Sequence, residues 1–183
     1  MLIEVDGNNL DSMMVECEAI SEVLYKHECE EVLFAESAEQ KEYFWKLRRS
    51  IGEATKHNNT YKEEDTVVPR AELPLLFKGV KEIGARYNFR TVCYGHAGDG
   101  NLHVNILKDD LSDDYWQNNI TPGIIEIFEL CKKLGGTISG EHGIGYVQKQ
   151  FMPIMFSPNH LHLMHQIKLA FDPNLILNPG KIY

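Results

Sequence analysis

The segment RTVCYGHAGDGNLHVNIL, residues 90–107, decides the fold because it predicts a β-hairpin. Its middle, AGDGN at 97–101, consists mainly of residues that favour tight turns. The flanks on both sides are rich in β-branched and aromatic residues, which favour strands. Two histidines, His96 and His103, therefore lie on either side of the turn.

The expected register of this hairpin brings four polar or aromatic side chains onto one face of the sheet. We expect His96 to face His103 across the two strands. The same register pairs Tyr94 with Asn105, and side chains two positions apart share a face of a strand. Directly opposed residues have Cβ atoms about 5 Å apart, so two imidazoles there could hold one cation.

Helix and strand patterns follow one another along the rest of the chain. Apolar residues recur at helical spacing within 11–27, and Ser37 is placed to cap the helix that follows it. Together the segments predict an α+β fold, with an antiparallel sheet, helices packed on one face, and a C-terminal helical segment and tail. The predicted strands outside the hairpin are 1–7, 30–37 and 61–69, and the predicted helices are 11–27, 38–57, 70–88, 122–136 and 157–172.

The composition is that of a globular chain that can bury a core. The chain has 183 residues, 43% of them hydrophobic, and a formal net charge of -9. That charge disfavours nucleic acid as a partner, since phosphate binding needs a concentrated basic surface. No apolar run approaches a membrane span, the N-terminus lacks a signal-peptide pattern, and the four cysteines form no CxxC pair. We therefore expect reduced thiols and a cytoplasmic location.

A third candidate metal ligand lies in SGEHGIG, residues 139–145. Glu141 stands there among glycines that permit tight turns and close approach. Two neutral imidazoles and one carboxylate, from His96, His103 and Glu141, suit zinc, iron or manganese with positions left open for substrate. The alternative is that both histidines bond to backbone groups and that Glu141 is a solvated loop acid. The spacing alone leaves both interpretations open.

Two basic residues are candidates for binding a substrate carboxylate. Arg48 borders an apolar helix face, and no acid lies three or four positions away to pair with it. Its guanidinium could clamp a substrate carboxylate, or it could pair with an acid from another element. Lys62, in TYKEED, is either a ligand-binding residue or a solvated charge.

Three separated motifs resemble the C-terminal domain of FAD-linked oxidases. They are YGHAGDGNLHVNI at 94–106, GGTISGEHGIG at 135–145 and FDPNLILNPGKIY at 171–183. The group contains the glycolate oxidase flavin subunit, D-lactate dehydrogenase and D-2-hydroxyglutarate dehydrogenase, and the likeness runs over residues 1–183. It implies a ferredoxin-like sheet. It also implies that this chain is the substrate-binding domain, and that an N-terminal domain with nearly all FAD contacts is absent from it.

The resemblance also implies roles for particular residues. The metal is expected to be zinc, with iron or manganese as alternatives. Gly52 stands where the family often has a threonine one turn after the arginine, which argues against contacts to a second carboxylate as in 2-hydroxyglutarate. The implied roles are metal ligands for His96, His103 and Glu141, the base for His142, substrate contacts for Arg48, Lys62 and Asn105, and a flavin contact for Asn178.

The implied activity is oxidation of a D-2-hydroxy acid, of the glycolate or D-lactate type, to the 2-oxo acid. A divalent metal would bind the substrate hydroxyl and carboxylate, His142 would accept the hydroxyl proton, and the hydride would pass to the flavin. Implied partners are the substrate, an FAD-binding domain or subunit, and an electron acceptor such as an iron–sulfur subunit, a quinone or a cytochrome. A homodimer and a peripheral place at the inner membrane are left open. The alternatives are a metal-dependent hydrolase and a non-catalytic docking subunit of a split flavoenzyme.

Overall fold

The computed structural model describes residues 1–27, 29–57 and 59–182. The chain divides into two compact units, Met1–Ala54 and Thr55–Tyr183. Within the described ranges, no helix is long and apolar enough to cross a membrane. The elements in chain order are α1 (Leu10–Lys26), α2 (Ala38–Lys56), β1 (Tyr61–Val67), α3 (Leu73–Arg86), β2 (Arg90–His96), β3 (Asn101–Leu107), α4 (Asp113–Asn118), α5 (Thr121–Lys133), β4 (Thr137–Ile138), α6 (Met152–Met155) and α7 (Pro158–Phe171).

The first unit consists of α1, most of α2 and the segments beside them. Asn9 caps α1 by accepting the Ser12 N–H at 3.0 Å. Ser37 caps α2, as expected, by accepting the Gln40 N–H at 3.2 Å. These side-chain oxygens satisfy backbone donors that a helix leaves unpaired at its start. None of the unit's described residues is fully buried.

The strands predicted at 1–7 and 30–37 are wrong, because these described segments form none. The four strands of the sheet all come from the second unit. An extended segment becomes a strand only when its backbone N–H and C=O groups pair with a neighbour, and sequence alternation does not reveal that neighbour. Leu33 and Phe34 accordingly remain 66% and 51% exposed.

The second unit has a βαββαβ arrangement with the strand order β2-β3-β1-β4. Every neighbouring pair in the sheet is antiparallel. Helix α3 connects β1 to β2, α5 leads into β4, and both helices contact the sheet and each other. This is the split βαβ topology of ferredoxin-like folds. The predicted α+β class, with helices on a mainly antiparallel sheet, is therefore confirmed.

Alternation along β3 sorts its side chains between the two faces of the sheet. Leu102, Val104 and Ile106 are buried against the helices. Asn101, His103 and Asn105 alternate with them and project from the other face, opposite residues of β1 and β2. The sheet therefore has an apolar core on one face and a polar group on the other. The helix residues in that core include Leu76, Val80 and Ile83 of α3 and Ile124, Ile127 and Phe128 of α5.

The predicted hairpin forms, but its expected register is wrong by two residues. His96 pairs with Asn101, and His103 pairs with Tyr94. The loop between the strands is a single 3-10 turn closed by Gly100 in the left-handed conformation, with φ of 73°, and Asn101, expected in the turn, begins β3 instead. A shift of two residues keeps each side chain on its original face. The two histidines therefore still project from the same face of the sheet, as expected.

Glu64 is a buried acid on the helix-facing side of β1, with 3% of its surface exposed. It accepts a hydrogen bond from Gln148 Nε2 at 2.9 Å, which joins β1 to the segment after β4. Burial raises the pKa of Glu64 to about 7, and the Gln148 hydrogen bond and the Lys62 charge offset only part of this effect.

Replacing Glu64 with glutamine should therefore remove a pH dependence of folding stability. The folded-state pKa lies above the ordinary value of 4.5, so the stabilising effect of the neutral acid is full below pH 4.5 and is lost as the pH rises to about 7. Urea unfolding should show that the free energy of unfolding of the unaltered chain falls by up to about 3 kcal/mol between pH 5 and pH 8. The Glu64→Gln chain should not show this fall. Equal losses in both chains would contradict this role of Glu64.

Candidate functional site

A buried carboxylate on β1 holds the loop that follows β4. Asp65 is 1% exposed and lies on the face of the sheet opposite the helices. Its Oδ2 accepts the backbone N–H groups of Glu141 and His142, each at 2.8 Å. Its Oδ1 accepts the Asn101 side-chain amide at 2.7 Å. One carboxylate thus fixes the loop against both central strands.

The same loop is also folded onto itself and lies close to the sheet. The Ser139 N–H donates to the Asp65 backbone oxygen at 2.7 Å, and the Ser139 Oγ accepts the Gly143 N–H at 2.6 Å. A Cβ atom at Gly140 would lie 2.4 Å from the Asn101 Nδ2. The close approach of the backbone to the sheet therefore requires glycine at position 140.

The hydrogen bonds to Asp65 keep it ionised. Burial by itself would raise the pKa of Asp65, because it disfavours the charged form. The N–H groups of His142 and Glu141 and the Asn101 amide outweigh burial and hold the pKa below its usual range. The group that fixes the loop is therefore a full negative charge that accepts several donors.

The three predicted metal ligands come together at the edge of this loop. Glu141 Oε1 lies 2.8 Å from His103 Nε2 and 3.8 Å from His96 Nε2. One ligand atom from each residue lies within 4.8 Å of those of the other two. His103 is almost fully buried, whereas the side chains of His96 and Glu141 are half-exposed.

This donor set fits a divalent cation. A tetrahedral zinc ion with ligand distances of about 2.1 Å needs ligand atoms about 3.4 Å apart, so small side-chain rotations are sufficient. Two imidazole nitrogens and one carboxylate oxygen are also a set that leaves coordination positions open. The side chains of His96 and Glu141 are half-exposed, so a cation held by these residues would be accessible from solvent.

His142 lies directly beside the three candidate ligands. Its ring stacks on that of His103, with centroids 4.8 Å apart and planes 24° from parallel. The Asp65 hydrogen bond fixes its backbone, and the residue is exposed. The structure therefore brings the candidate base and the candidate ligands together.

Two predicted substrate contacts, Asn105 and Lys62, lie on opposite faces of the sheet. Asn105 shares the face of His103 but is fully buried, and neither atom of its amide has a hydrogen-bond partner among the described residues. Lys62 pairs with Ile106 on the helix-facing side of the strand, and its ammonium lies 5.7 Å from the centre of the Trp116 ring. Lys62 is therefore not brought to the histidines.

The other two predicted contacts stay predictions. Arg48 lies on α2 in the first unit, whereas the histidine group belongs to the second. Asn178 lies on the exposed C-terminal tail and accepts a hydrogen bond from Lys181 Nζ at 3.1 Å. The end of that tail is tied to the end of the glycine-rich segment 139–145, because the Ile182 N–H donates to the Gly145 oxygen at 2.8 Å.

Sequence reasoning missed three charged residues on or beside the site face. They are Asp65, which fixes the loop, Glu63, whose Oε1 lies 3.6 Å from His103 Nδ1, and Lys56, whose ammonium lies 2.8 Å from Glu63 Oε2. Alternation along β1 shows that Glu63 and Asp65 share one face, but only the register with β3 reveals which face it is.

Comparison with known proteins identifies the family. A family model of the C-terminal domain of FAD linked oxidases matches residues 1–182. The chain belongs to this family. It is 32% identical over 183 residues to a D-lactate dehydrogenase of Anaerostipes hadrus, and 34% identical over 184 residues to the glycolate oxidase subunit GlcD of Bacillus subtilis.

A third relative is a D-2-hydroxyglutarate dehydrogenase of Stutzerimonas stutzeri, 38% identical over 154 residues. The matches cover 100%, 100% and 82% of this chain, in the same order. They cover 38%, 39% and 33% of the three relatives. The chain therefore spans less than two fifths of the length of these relatives.

Replacing Asp65 with asparagine should destabilise the chain and loosen the loop. Whichever way its amide is placed, one NH2 group would face donors, either the backbone N–H groups of Glu141 and His142 or the Asn101 amide. We expect a loss of about 3 kcal/mol in the free energy of unfolding, and faster hydrogen exchange at the two backbone amides. The exposed Asp110→Asn is the charge-matched control. An Asp65→Asn chain as stable and as protected as the control would contradict the anchoring role.

Proposed function

We propose that this chain supplies the substrate site of an FAD-linked enzyme that oxidises a D-2-hydroxy acid, of the glycolate or D-lactate type, to the 2-oxo acid. The main support is the convergence of His96, His103 and Glu141, with His142 stacked beside them. Family membership supports the flavin-linked oxidation, and two of the relatives are named as a D-lactate dehydrogenase and a glycolate oxidase subunit.

In this proposal His96, His103 and Glu141 hold a divalent cation, with zinc as the first choice and iron or manganese as alternatives. A bound divalent cation supplies Lewis-acid polarisation of the hydroxyl and carboxylate oxygens of the substrate. The chain contributes two imidazoles from the hairpin strands and a carboxylate from the loop that Asp65 holds. These groups would hold the cation beside His142.

The chain also supplies a proton acceptor and candidate contacts to the substrate. A ring nitrogen of His142 would take the hydroxyl proton, because the stacked ring lies next to the proposed cation site and is open to solvent. Arg48 is kept as a carboxylate contact, and Asn105 as a polar contact whose amide has no partner among the described residues. Lys62 is left out, because it faces the helices.

The glycine-rich segment 139–145 lacks the structural setting that is usual for a flavin pyrophosphate site. The glycine-rich segment 139–145 is followed by a 3-10 turn at Lys149–Phe151 and by the four-residue α6, whereas a flavin pyrophosphate site is usually made by a glycine-rich turn that begins a long helix. We therefore assign the FAD contacts to an FAD-binding domain or subunit, apart from the proposed Asn178 contact. The electron acceptor is an iron–sulfur subunit, a quinone or a cytochrome. The four free thiols support a reducing compartment such as the cytoplasm.

The metal proposal is tested by replacing His103 with alanine. Isothermal titration calorimetry of this chain with Zn²⁺ should show one equivalent bound. His103→Ala should weaken the zinc affinity more than about 100-fold, because loss of a ligand costs more than loss of a residue that only hydrogen-bonds to a ligand. In the complete flavoenzyme the same change should abolish turnover while the flavin absorbance stays, since the flavin is bound by other residues.

The matched control is His162→Ala, which removes an exposed histidine of α7 outside the candidate site. It should leave both the zinc affinity and the turnover unchanged. Normal turnover of His103→Ala, together with no effect of chelators, would overturn the metal proposal.

A further inference from the structure

Glu63 is an acid on the face of the proposed cation site that the family motifs did not point to. It pairs with Asn105 across β1 and β3, one position along the same face from the pair of Asp65 and His103. Its side chain is only 17% exposed. The carboxylate therefore lies against the buried side of His103.

The two ring nitrogens of His103 have different surroundings. Nε2 faces Glu141 Oε1 at 2.8 Å, on the side of the proposed cation. Nδ1 is buried, has no hydrogen-bond partner among the described residues, and faces Glu63 Oε1 at 3.6 Å and Asp65 Oδ1 at 4.0 Å. A buried ring nitrogen without a partner is costly, so one of these two acids is expected to accept its proton.

Asp65 is already engaged by other donors. Its Oδ1 accepts the Asn101 amide, and its Oδ2 accepts the N–H groups of the loop. Moving Asp65 toward His103 would break contacts that hold Glu141 in place. Glu63 is the acid that can approach Nδ1 without this loss.

Lys56 orients the Glu63 carboxylate. The Lys56 ammonium lies 2.8 Å from Glu63 Oε2, and this hydrogen bond raises the pKa of Lys56 above its ordinary value. The ammonium therefore occupies one oxygen and leaves Oε1 as the oxygen directed at His103. An approach of less than 1 Å would convert 3.6 Å into a normal hydrogen bond.

We propose that Glu63 is a positioning residue that accepts the Nδ1–H of His103 and so directs the Nε2 lone pair toward the cation site. The inference rests on the proposed function, because it concerns the same cation. A carboxylate that accepts the second ring N–H of a ligating histidine fixes its tautomer and orientation, and removing such a partner usually weakens metal affinity 10- to 100-fold. The Lys56 ammonium occupies the other oxygen of Glu63. Glu63 therefore acts as a hydrogen-bond acceptor for His103 and does not itself bind the cation.

Two double variants separate hydrogen bonding from charge. Lys56→Met with Glu63→Gln keeps a carbonyl acceptor at position 63, whereas Lys56→Met with Glu63→Leu removes it. Both have the net charge of the unaltered chain, since each loses one positive and one negative charge. Titration of this chain with Zn²⁺ should give about the unaltered affinity for the glutamine variant and at least about tenfold weaker binding for the leucine variant. Equal affinities of the two variants would overturn the role of Glu63.

The unaltered chain provides a test that does not depend on the folding of variants. Long-range ¹H–¹⁵N NMR spectra of the Zn²⁺-loaded chain should show the His103 proton on Nδ1 and the metal on Nε2. A proton on Nε2 or zinc on Nδ1 would overturn the proposal. Glu63 and His142 also have ligand atoms within 4.8 Å of each other and of one of His103, and a second equivalent of zinc bound there would overturn it too. If the unaltered chain bound no Zn²⁺, the cation site itself would fail. If it bound Zn²⁺ but the two double variants matched, only the role of Glu63 would fail.

Discussion

The carboxylate of Asp65 is ionised inside the fold and accepts the N–H groups of Glu141 and His142 together with the Asn101 amide. A buried charge is stable only when donors replace its lost hydration, and these donors do so. A glycine-rich loop has little conformational preference of its own, so the place of Glu141 beside His103 depends on the bond between the loop and β1.

Three consecutive acidic residues of β1 have different roles because neighbouring side chains of a strand project from opposite faces of the sheet. Glu63 and Asp65 project toward the histidines, while Glu64 between them projects into the helix-packed core. The buried Glu64 has a raised pKa, and the hydrogen-bonded Asp65 has a lowered one. Desolvation prevails for Glu64, whereas for Asp65 desolvation is outweighed by the combined hydrogen bonds from the His142 and Glu141 N–H groups and the Asn101 amide. The alternation of the strand therefore separates a structural acid from two acids that shape the candidate site.

Local patterns predicted much of the architecture. The helical periodicity of 11–27 and the cap at Ser37 lie in single segments, and both were confirmed. The expected pairing of His96 with His103 was wrong. The two histidines nevertheless share a face of the sheet, because a register shift of two residues does not change the face from which a side chain projects. Features that depend on partners distant in the sequence could not be predicted. These are the absence of strand pairing at 1–7, the face of the sheet from which Lys62 projects, and the contact of Asp65 with a loop 76 residues further along the chain.

We propose that the sheet and the Asp65-bound loop together form one cation site. A crystal of this chain grown with Zn²⁺ and measured on both sides of the zinc absorption edge tests it most directly. The account predicts one strong anomalous peak bound by Nε2 of His103, by the His96 ring and by the Glu141 carboxylate, with the Asp65 hydrogen bonds unchanged. A peak at other residues, or none at this site with zinc in excess, would contradict it.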